Sequence, residues 1–228
     1  RGRDYFAMEY VEGFPLDAYL GSRTLAVDET IRLLLQVCDG VNYAHQHGVI
    51  HRDLKPTNVI VDSQGRAHIL DFGLAKRIVD ETSVPEARMT QVGSFAGTWH
   101  YASPEQVRRD AGLLDVRSDV YALGVISHEA LTDAYPYPID GVTKAEIVEH
   151  ILKTPPVRLS AIRADIDDDL DTIILRALQK DPSRRYQSAA ALGEDLRRYL
   201  AGEPIEAKRD SRWYLLRMTL RRYRWQAA

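Results

Sequence analysis

The stretch HRDLKPTN, residues 51–58, decides how the rest of this 228-residue chain is interpreted. It brings a histidine, two cations, a carboxylate and an amide together, and it holds too few apolar residues for a core strand. Asp53 is a candidate general base, and Lys55 is a candidate clamp for an anionic leaving group. We therefore interpret the stretch as a reactive loop.

The residues that follow this loop supply a second oxygen ligand. Residues 58–73 contain two short apolar segments joined by Asp-Ser-Gln-Gly, a pattern that predicts a β-hairpin. Asn58 begins the hairpin and Asp71 ends it, so a tight turn would bring their side-chain oxygens together. Both are hard ligands of the kind that Mg²⁺ prefers. A base, a cation and two metal ligands suit phosphoryl transfer, which depends on positioning and charge neutralisation.

Outside this region the chain is mostly helical, apart from a strand followed by a turn that is predicted over residues 4–13. The apolar periodicity predicts helices over 28–48, 118–132, 143–153, 168–179 and 188–202. Asp28 is the predicted N-cap of the first helix, and residues 118–132 are apolar nearly all round, which predicts a buried central helix. A few strands followed by many helices indicate the α+β class with a mainly helical body.

Composition narrows the possible classes of protein. The chain is 45% hydrophobic and carries a net charge of −3, but residues from Lys208 onward are strongly basic and the preceding body is acidic. An acidic body argues against nucleic-acid binding. Cys38 is the only cysteine, which excludes disulfides within the chain and predicts a buried, inert thiol in a reducing, cytoplasmic compartment. No apolar run reaches 18 residues, so no membrane span is predicted.

Three motifs in order carry a family resemblance. HRDLKPTN, then DFG at 71–73, then SPE at 103–105, resemble the catalytic loop, the metal-binding turn and the end of the activation segment of eukaryotic-type protein kinases. The similarity extends from residue 1 to about residue 200. The lysine two positions after the base resembles Ser/Thr kinases, and GTWHYASPEQ resembles bacterial members. The family has alanine where this chain has Ser103.

The resemblance implies roles in catalysis and nucleotide binding. It implies that Asp53 accepts the proton of a substrate hydroxyl, that Lys55 contacts the γ-phosphate of ATP, and that Mg²⁺ is held by Asn58 and Asp71. Adenine would contact the backbone of Glu9 and Val11 and the side chain of Ile60. Thr98 has two interpretations, a hydroxyl bonded to the base or an ordinary turn residue.

The resemblance also implies structural and regulatory roles. The structural residues it indicates are His51, Phe72, Glu105, Asp119 and Arg185. Arg52 would bind a phosphate on the activation segment, with Thr90 as the predicted phosphosite and Ser94 as the runner-up. One copy of the kinase could add this phosphate to another.

The same resemblance divides the chain into three parts. Residues 1–13 correspond to the last strand of the small lobe and the hinge, and residues 14–202 to the C-terminal lobe with its activation segment at 71–105. Residues 203–228 form a basic amphipathic tail. Such a tail is typical of a helix on the cytoplasmic face of an anionic membrane, although it could equally pack on the domain.

Two elements of the family pattern are missing from these 228 residues. No G-x-G occurs in the chain, and no lysine precedes Lys55. We therefore expect the small lobe to be absent apart from its final strand. Two hypotheses stay open: a Ser/Thr kinase acting on proteins, with little activity as this chain alone, or a non-catalytic, kinase-like binding module.

A cluster of aspartates surrounds the start of the fourth predicted helix. We interpret it as a solvated helix start that the helix dipole favours. Its members are Asp165, Asp167, Asp168, Asp169 and Asp171.

Overall fold

The computed structural model describes residues 10–72, 99–110, 112, 114–139 and 141–208. These residues form three short strands and eight α-helices. The strands are β1 (Gly13–Pro15), β2 (Val59–Asp62) and β3 (Ala67–Ile69). The helices are α1 (Leu16–Gly21), α2 (Val27–Gln46), α3 (Pro104–Arg108), α4 (Val116–Thr132), α5 (Lys144–Lys153), α6 (Leu159–Ile162), α7 (Asp168–Ala177) and α8 (Ala189–Ala201). The predicted α+β class with a mainly helical body is confirmed.

Helix α4 is the centre of the helical body, as its apolar sequence predicted. Every residue from Ser118 to His128 is buried. Asp115 caps the helix by accepting a hydrogen bond of 2.8 Å from the backbone of Arg117. A Cβ atom on Gly124 would lie 3.0 Å from the Cβ of Ala177, so glycine permits the close packing of α4 against α7.

Helix α2 packs its apolar face into the same core, but it begins one residue earlier than predicted. Its N-cap is Ala26, whose N–H donates to the carboxylate of Glu29 at 2.9 Å, so the prediction of Asp28 as N-cap is wrong. Glu29 thereby binds the N–H of the N-cap residue, which is the role that the third helical residue has in a capping box. Cys38 is buried as predicted, and burial raises the pKa of its thiol to about 12.

The three strands form one antiparallel sheet in the order β1-β2-β3, and β2 with β3 is the predicted hairpin. Of the strand and turn predicted over residues 4–13, the part up to residue 9 lies outside the described residues. Residues 10–12 are not in a strand, as expected for the turn, and β1 begins at Gly13. The start of β1 at Gly13 is decided by the pairing of β1 with β2. A Cβ atom on Gly13 would lie 2.4 Å from the carbonyl oxygen of Val61, so only glycine allows this approach.

The aspartate cluster divides into capping and buried positions. Asp167 caps α7 by accepting bonds from two backbone N–H groups, in agreement with a helix start. Asp171 is fully buried, however, and its carboxylate accepts from the backbone of Leu159 at 2.7 Å and from Arg158 at 3.0 Å. The interpretation of Asp171 as a solvated residue is therefore wrong, because the chain preceding α7 folds over it.

The described chain continues to pack against the body beyond α8. Ile205 is buried, and Asp195 accepts the backbone N–H groups of Glu206 and Ala207 at 2.6 and 2.9 Å. The rest of the predicted basic tail, residues 209–228, lies outside the described residues. No helix within the described ranges has the length and apolar character needed to cross a membrane.

Candidate active site

The start of the catalytic loop, residues 51–58, is held by a carboxylate on the central helix. Asp119 lies in the first turn of α4 and is 1% exposed. One of its oxygens accepts the N–H of Arg52 at 2.8 Å, and the other accepts the N–H of His51 at 2.8 Å. Arg52 has a left-handed φ of 64°, which costs a non-glycine residue about 1–2 kcal/mol. The two bonds compensate this cost and define the path of the loop.

His51 connects the catalytic loop to the end of the hairpin. Its ring is fully buried, with Nε2 2.9 Å from the carbonyl oxygen of Leu70. Nδ1 accepts the backbone N–H of Asp53 at 3.3 Å, which leaves Nε2 to carry the proton and donate to that carbonyl. The ring also lies 5.1 Å from the ring of Phe72, measured between centroids. Leu70 and Phe72, the neighbours of Asp71, therefore both contact the catalytic loop through His51.

The side chains predicted to take part in catalysis are accessible. The side chain of Asp53 is 41% exposed, and the Nζ of Lys55 lies 3.1 Å from its carboxylate. Asn58 donates its side-chain N–H to the backbone oxygen of Asp53 at 2.9 Å. A carboxylate beside an ammonium, on a backbone fixed from two directions, can accept a proton while the cation attracts an anionic group.

The oxygen ligands fit Mg²⁺. The amide nitrogen of Asn58 is used on Asp53, so the amide oxygen is the end of this side chain that could bind a cation. Asp71 is exposed and has a left-handed φ of 59°. The part of the chain that the structure describes holds no group of three or more His, Cys, Asp or Glu residues suited to a metal. Few protein ligands are typical of Mg²⁺ that is bound together with substrate phosphates.

Glu105 and Arg185 form an anchor pair between α3 and the helical body. Two nitrogens of the guanidinium donate to the two carboxylate oxygens at 2.8 Å each, and both side chains are at most 1% exposed. Ser118 adds a hydroxyl donor at 2.7 Å. Burial raises the pKa of Glu105, but the hydrogen bonds and charge of Arg185 outweigh burial, and the pKa lies below its usual value.

The remaining predicted residues are placed as follows. Ile60 lies on β2 opposite Pro15 and is half-buried, and Val11 is half-buried outside any strand. Four residues lie outside the described ranges: Glu9, Thr90, Ser94 and Thr98. The structure thus brings together the catalytic loop, Asp71, Phe72 and Asp119, and the proposed adenine and activation-segment contacts stay predictions.

One supporting residue was missed from the sequence. His45, near the end of α2, places its Nε2 2.8 Å from the same Asp119 oxygen that accepts the N–H of His51. Its side chain is 6% exposed. The available signal was the position of His45 on the buried face of a helix that leads directly into the catalytic loop.

The comparisons with known proteins agree with this geometry. A family model described as the protein kinase domain matches residues 2–196, so the chain belongs to the protein kinase domain family. Among its relatives is serine/threonine-protein kinase PknB of Mycobacterium leprae, 38% identical over 204 residues. That alignment covers 89% of this chain and 31% of the relative. Serine/threonine-protein kinase Pkn1 of Myxococcus xanthus is 39% identical over 214 residues, with 92% of this chain and 29% of the relative covered.

These relatives confirm the resemblance to bacterial Ser/Thr kinases stated from the motifs. The PknB of Mycobacterium tuberculosis matches at 37% identity over 204 residues. The chain spans less than a third of the length of each of these relatives, since the covered shares are 31% and 29%.

Proposed function

We propose that this chain supplies the catalytic loop of a protein Ser/Thr kinase that transfers the γ-phosphate of ATP to a protein hydroxyl. The observation that carries the proposal is the exposed Asp53 carboxylate beside Lys55, on a loop whose backbone is bound to Asp119. The names of the relatives support the class of substrate. Members of the family generally use ATP and Mg²⁺.

The mechanism assigns one task to each side chain. Asp53 accepts the proton of the substrate hydroxyl as its oxygen attacks the γ-phosphorus, and the bond to ADP breaks on the opposite side. Lys55 stabilises negative charge on the transferred group. Asn58 holds the backbone of Asp53 and, with Asp71, would bind Mg²⁺. When bound, the metal would neutralise charge on the phosphates.

The test is Asp53→Asn in the protein expressed from its complete coding sequence. We expect phosphate transfer to fall by about 10²–10⁴-fold because the base is lost, while ATP binding stays nearly unchanged. Asp39→Asn is the matched control, since Asp39 is an exposed aspartate paired with Arg197 on the surface. Unaltered transfer by Asp53→Asn, measured with labelled ATP, would reject the assignment.

The second candidate is a kinase-like binding module without turnover. Within these 228 residues no G-x-G occurs and no lysine precedes Lys55. ATP hydrolysis and transfer by the 228-residue chain alone should therefore be undetectable, because the phosphates lack a glycine-rich cover and a paired lysine. Robust turnover by this chain would contradict that expectation. An in-frame glycine-rich loop and lysine upstream of Arg1 would favour the enzyme over the module.

Regulation and association form a further part of the proposal. The Nε of Arg52 is buried and has no hydrogen-bond partner among the described residues, which supports a role in binding an anion. Phosphate on Thr90, or failing that on Ser94, would supply that anion. Phosphorylation of one copy by another, and contact of the tail with the cytoplasmic face of a membrane, stay predictions.

A further inference from the structure

We propose that Gln106 is a positioning residue that links the end of the activation segment to the peptide bond preceding Asp53, and that Ser103 orients it. The inference rests on the proposed function, because it assigns Asp53 as the base. It concerns the last residue of the GTWHYASPEQ stretch, to which the family resemblance assigned no role.

Both ends of the Gln106 amide are used. The side-chain N–H donates to the carbonyl oxygen of Arg52 at 2.7 Å, across 54 residues of sequence. The side-chain oxygen accepts the backbone N–H of Ser103 at 2.9 Å and the Ser103 hydroxyl at 3.1 Å. An amide has a distinct donor end and acceptor end, so these partners allow only one orientation of the side chain.

The bond from Gln106 completes the restraint of one peptide unit. The unit between Arg52 and Asp53 has its carbonyl oxygen bound by Gln106 and its N–H bound by the ring of His51. The preceding N–H, that of Arg52, is bound by Asp119. Since Arg52 is held in a left-handed conformation, loss of one restraint favours relaxation of φ, and relaxation would redirect the carboxylate of Asp53.

The position of Gln106 makes the link sensitive to the activation segment. It lies on α3 beside Glu105, which the anchor pair with Arg185 ties to the helical body. When α3 is docked, Gln106 reaches Arg52. If α3 moves, the same displacement removes the bond, so docking of the segment and order of the catalytic loop are coupled.

The bonds of Ser103 explain the departure from the alanine of the family. Ser103 is fully buried, and a buried hydroxyl without a partner costs free energy. Its partner is the oxygen of Gln106. Serine at this position thus adds a donor that keeps the acceptor end of the amide turned away from the carbonyl of Arg52.

The kinetic test uses variants that change donors with little change of volume. Gln106→Met removes the donor and the acceptor, Gln106→Glu keeps an acceptor only, and Ser103→Ala removes the orienting hydroxyl. In the protein from the complete coding sequence we expect Gln106→Met to lower kcat about 10–100-fold with the KM for ATP nearly unchanged. Ser103→Ala should have a smaller effect in the same direction.

Gln36→Met is the matched control. The Gln36 amide also bridges two backbone groups, donating to Gly65 and accepting from Ala67 at 3.1 Å each, but it lies at the far end of the hairpin. Its kcat should equal that of the wild type. All rates are measured per folded protein, below the melting transition of every variant, so that a loss of stability alone does not lower kcat.

Hydrogen exchange gives a readout that needs no activity. In the 228-residue chain, Gln106→Met should accelerate amide exchange in peptides covering residues 50–54 relative to peptides from α4, and Gln36→Met should not. Unchanged exchange there overturns the proposal, as does unchanged kcat in an active protein. If the wild type transfers no phosphate, the proposed function fails, and exchange still decides whether Gln106 orders the loop. If Gln106→Met does not fold, Gln106→Glu is used with the same criteria.

Discussion

The catalytic loop and the anchor pair both depend on charged residues, but they expose them differently. In the loop, the buried carboxylate of Asp119 binds backbone N–H groups, and the reactive Asp53 and Lys55 are 41% and 24% exposed. In the anchor pair, Glu105 and Arg185 bind each other and are at most 1% exposed. The charges of the proposed catalytic residues are accessible on a fixed backbone, and the charges of the anchor pair, which hold two elements together, are buried.

This difference has an energetic consequence. An exposed ion pair contributes little to stability because water competes for both partners. A buried pair costs desolvation for both groups, and removal of one partner leaves the other charge uncompensated. Substitutions in the anchor pair should therefore affect stability, and substitutions at the reactive residues should affect activity.

The largest effect is expected for Arg185→Met. The substitution leaves the buried carboxylate of Glu105 with the hydroxyl of Ser118 as its remaining side-chain donor, and it should lower the free energy of unfolding by about 3–5 kcal/mol. Urea denaturation at neutral pH measures the loss. Arg197→Met is the control, because its partner Asp39 is exposed, and it should cost less than about 1 kcal/mol. If both variants lost the same free energy of unfolding, the buried anchor pair would be no more important for stability than an exposed ion pair.

A smaller effect is expected from acid, again at the anchor pair. The pKa of Glu105 lies below its usual 4.5, so its contribution to stability is present above that value and is lost as pH falls through the folded-state pKa. The difference in unfolding free energy between the wild type and Glu105→Gln should therefore be large at neutral pH and should shrink below pH 4.5. A difference that stays constant or grows as pH falls would mean that Glu105 is not bound as a carboxylate.

The smallest effect on stability is expected for Lys55→Met. The pair it forms with Asp53 is accessible, so the free energy of unfolding should change by less than about 1 kcal/mol. Phosphate transfer should nevertheless fall by about 10²-fold in the active protein, because charge stabilisation at the transferred group is lost. Lys153→Met, which breaks an exposed pair with Glu149, should change neither quantity measurably. A loss of stability comparable to that of Arg185→Met would show that Lys55 is structural.

The sequence predicted the elements whose signals are local. Helix α4 follows from its apolar composition, the hairpin from two apolar segments around a turn, and the buried thiol of Cys38 from its place on an apolar helix face. The identity of a residue and its neighbours in sequence did not predict its position where a hydrogen bond or a packing contact with another residue decided it. Asp28 is of a residue type that often caps helices, but the helix begins before it. The N-cap is Ala26, and its N–H donates to the side chain of Glu29. Asp171 resembles its solvated neighbours, but the chain around Leu159 buries it.

By itself, the sequence determined the residue types of the candidate site and the family to which the chain belongs, because the order and spacing of three motifs are properties of the chain. Only the tertiary structure decided which residues support them. His45 reaches Asp119 across 74 residues, and Gln106 reaches the backbone of Arg52 across 54 residues. The pattern of apolar residues in the sequence does not predict such a bond. Apolar burial packs the helices without a preferred direction, and the bond forms only where that packing brings a particular donor to a particular acceptor.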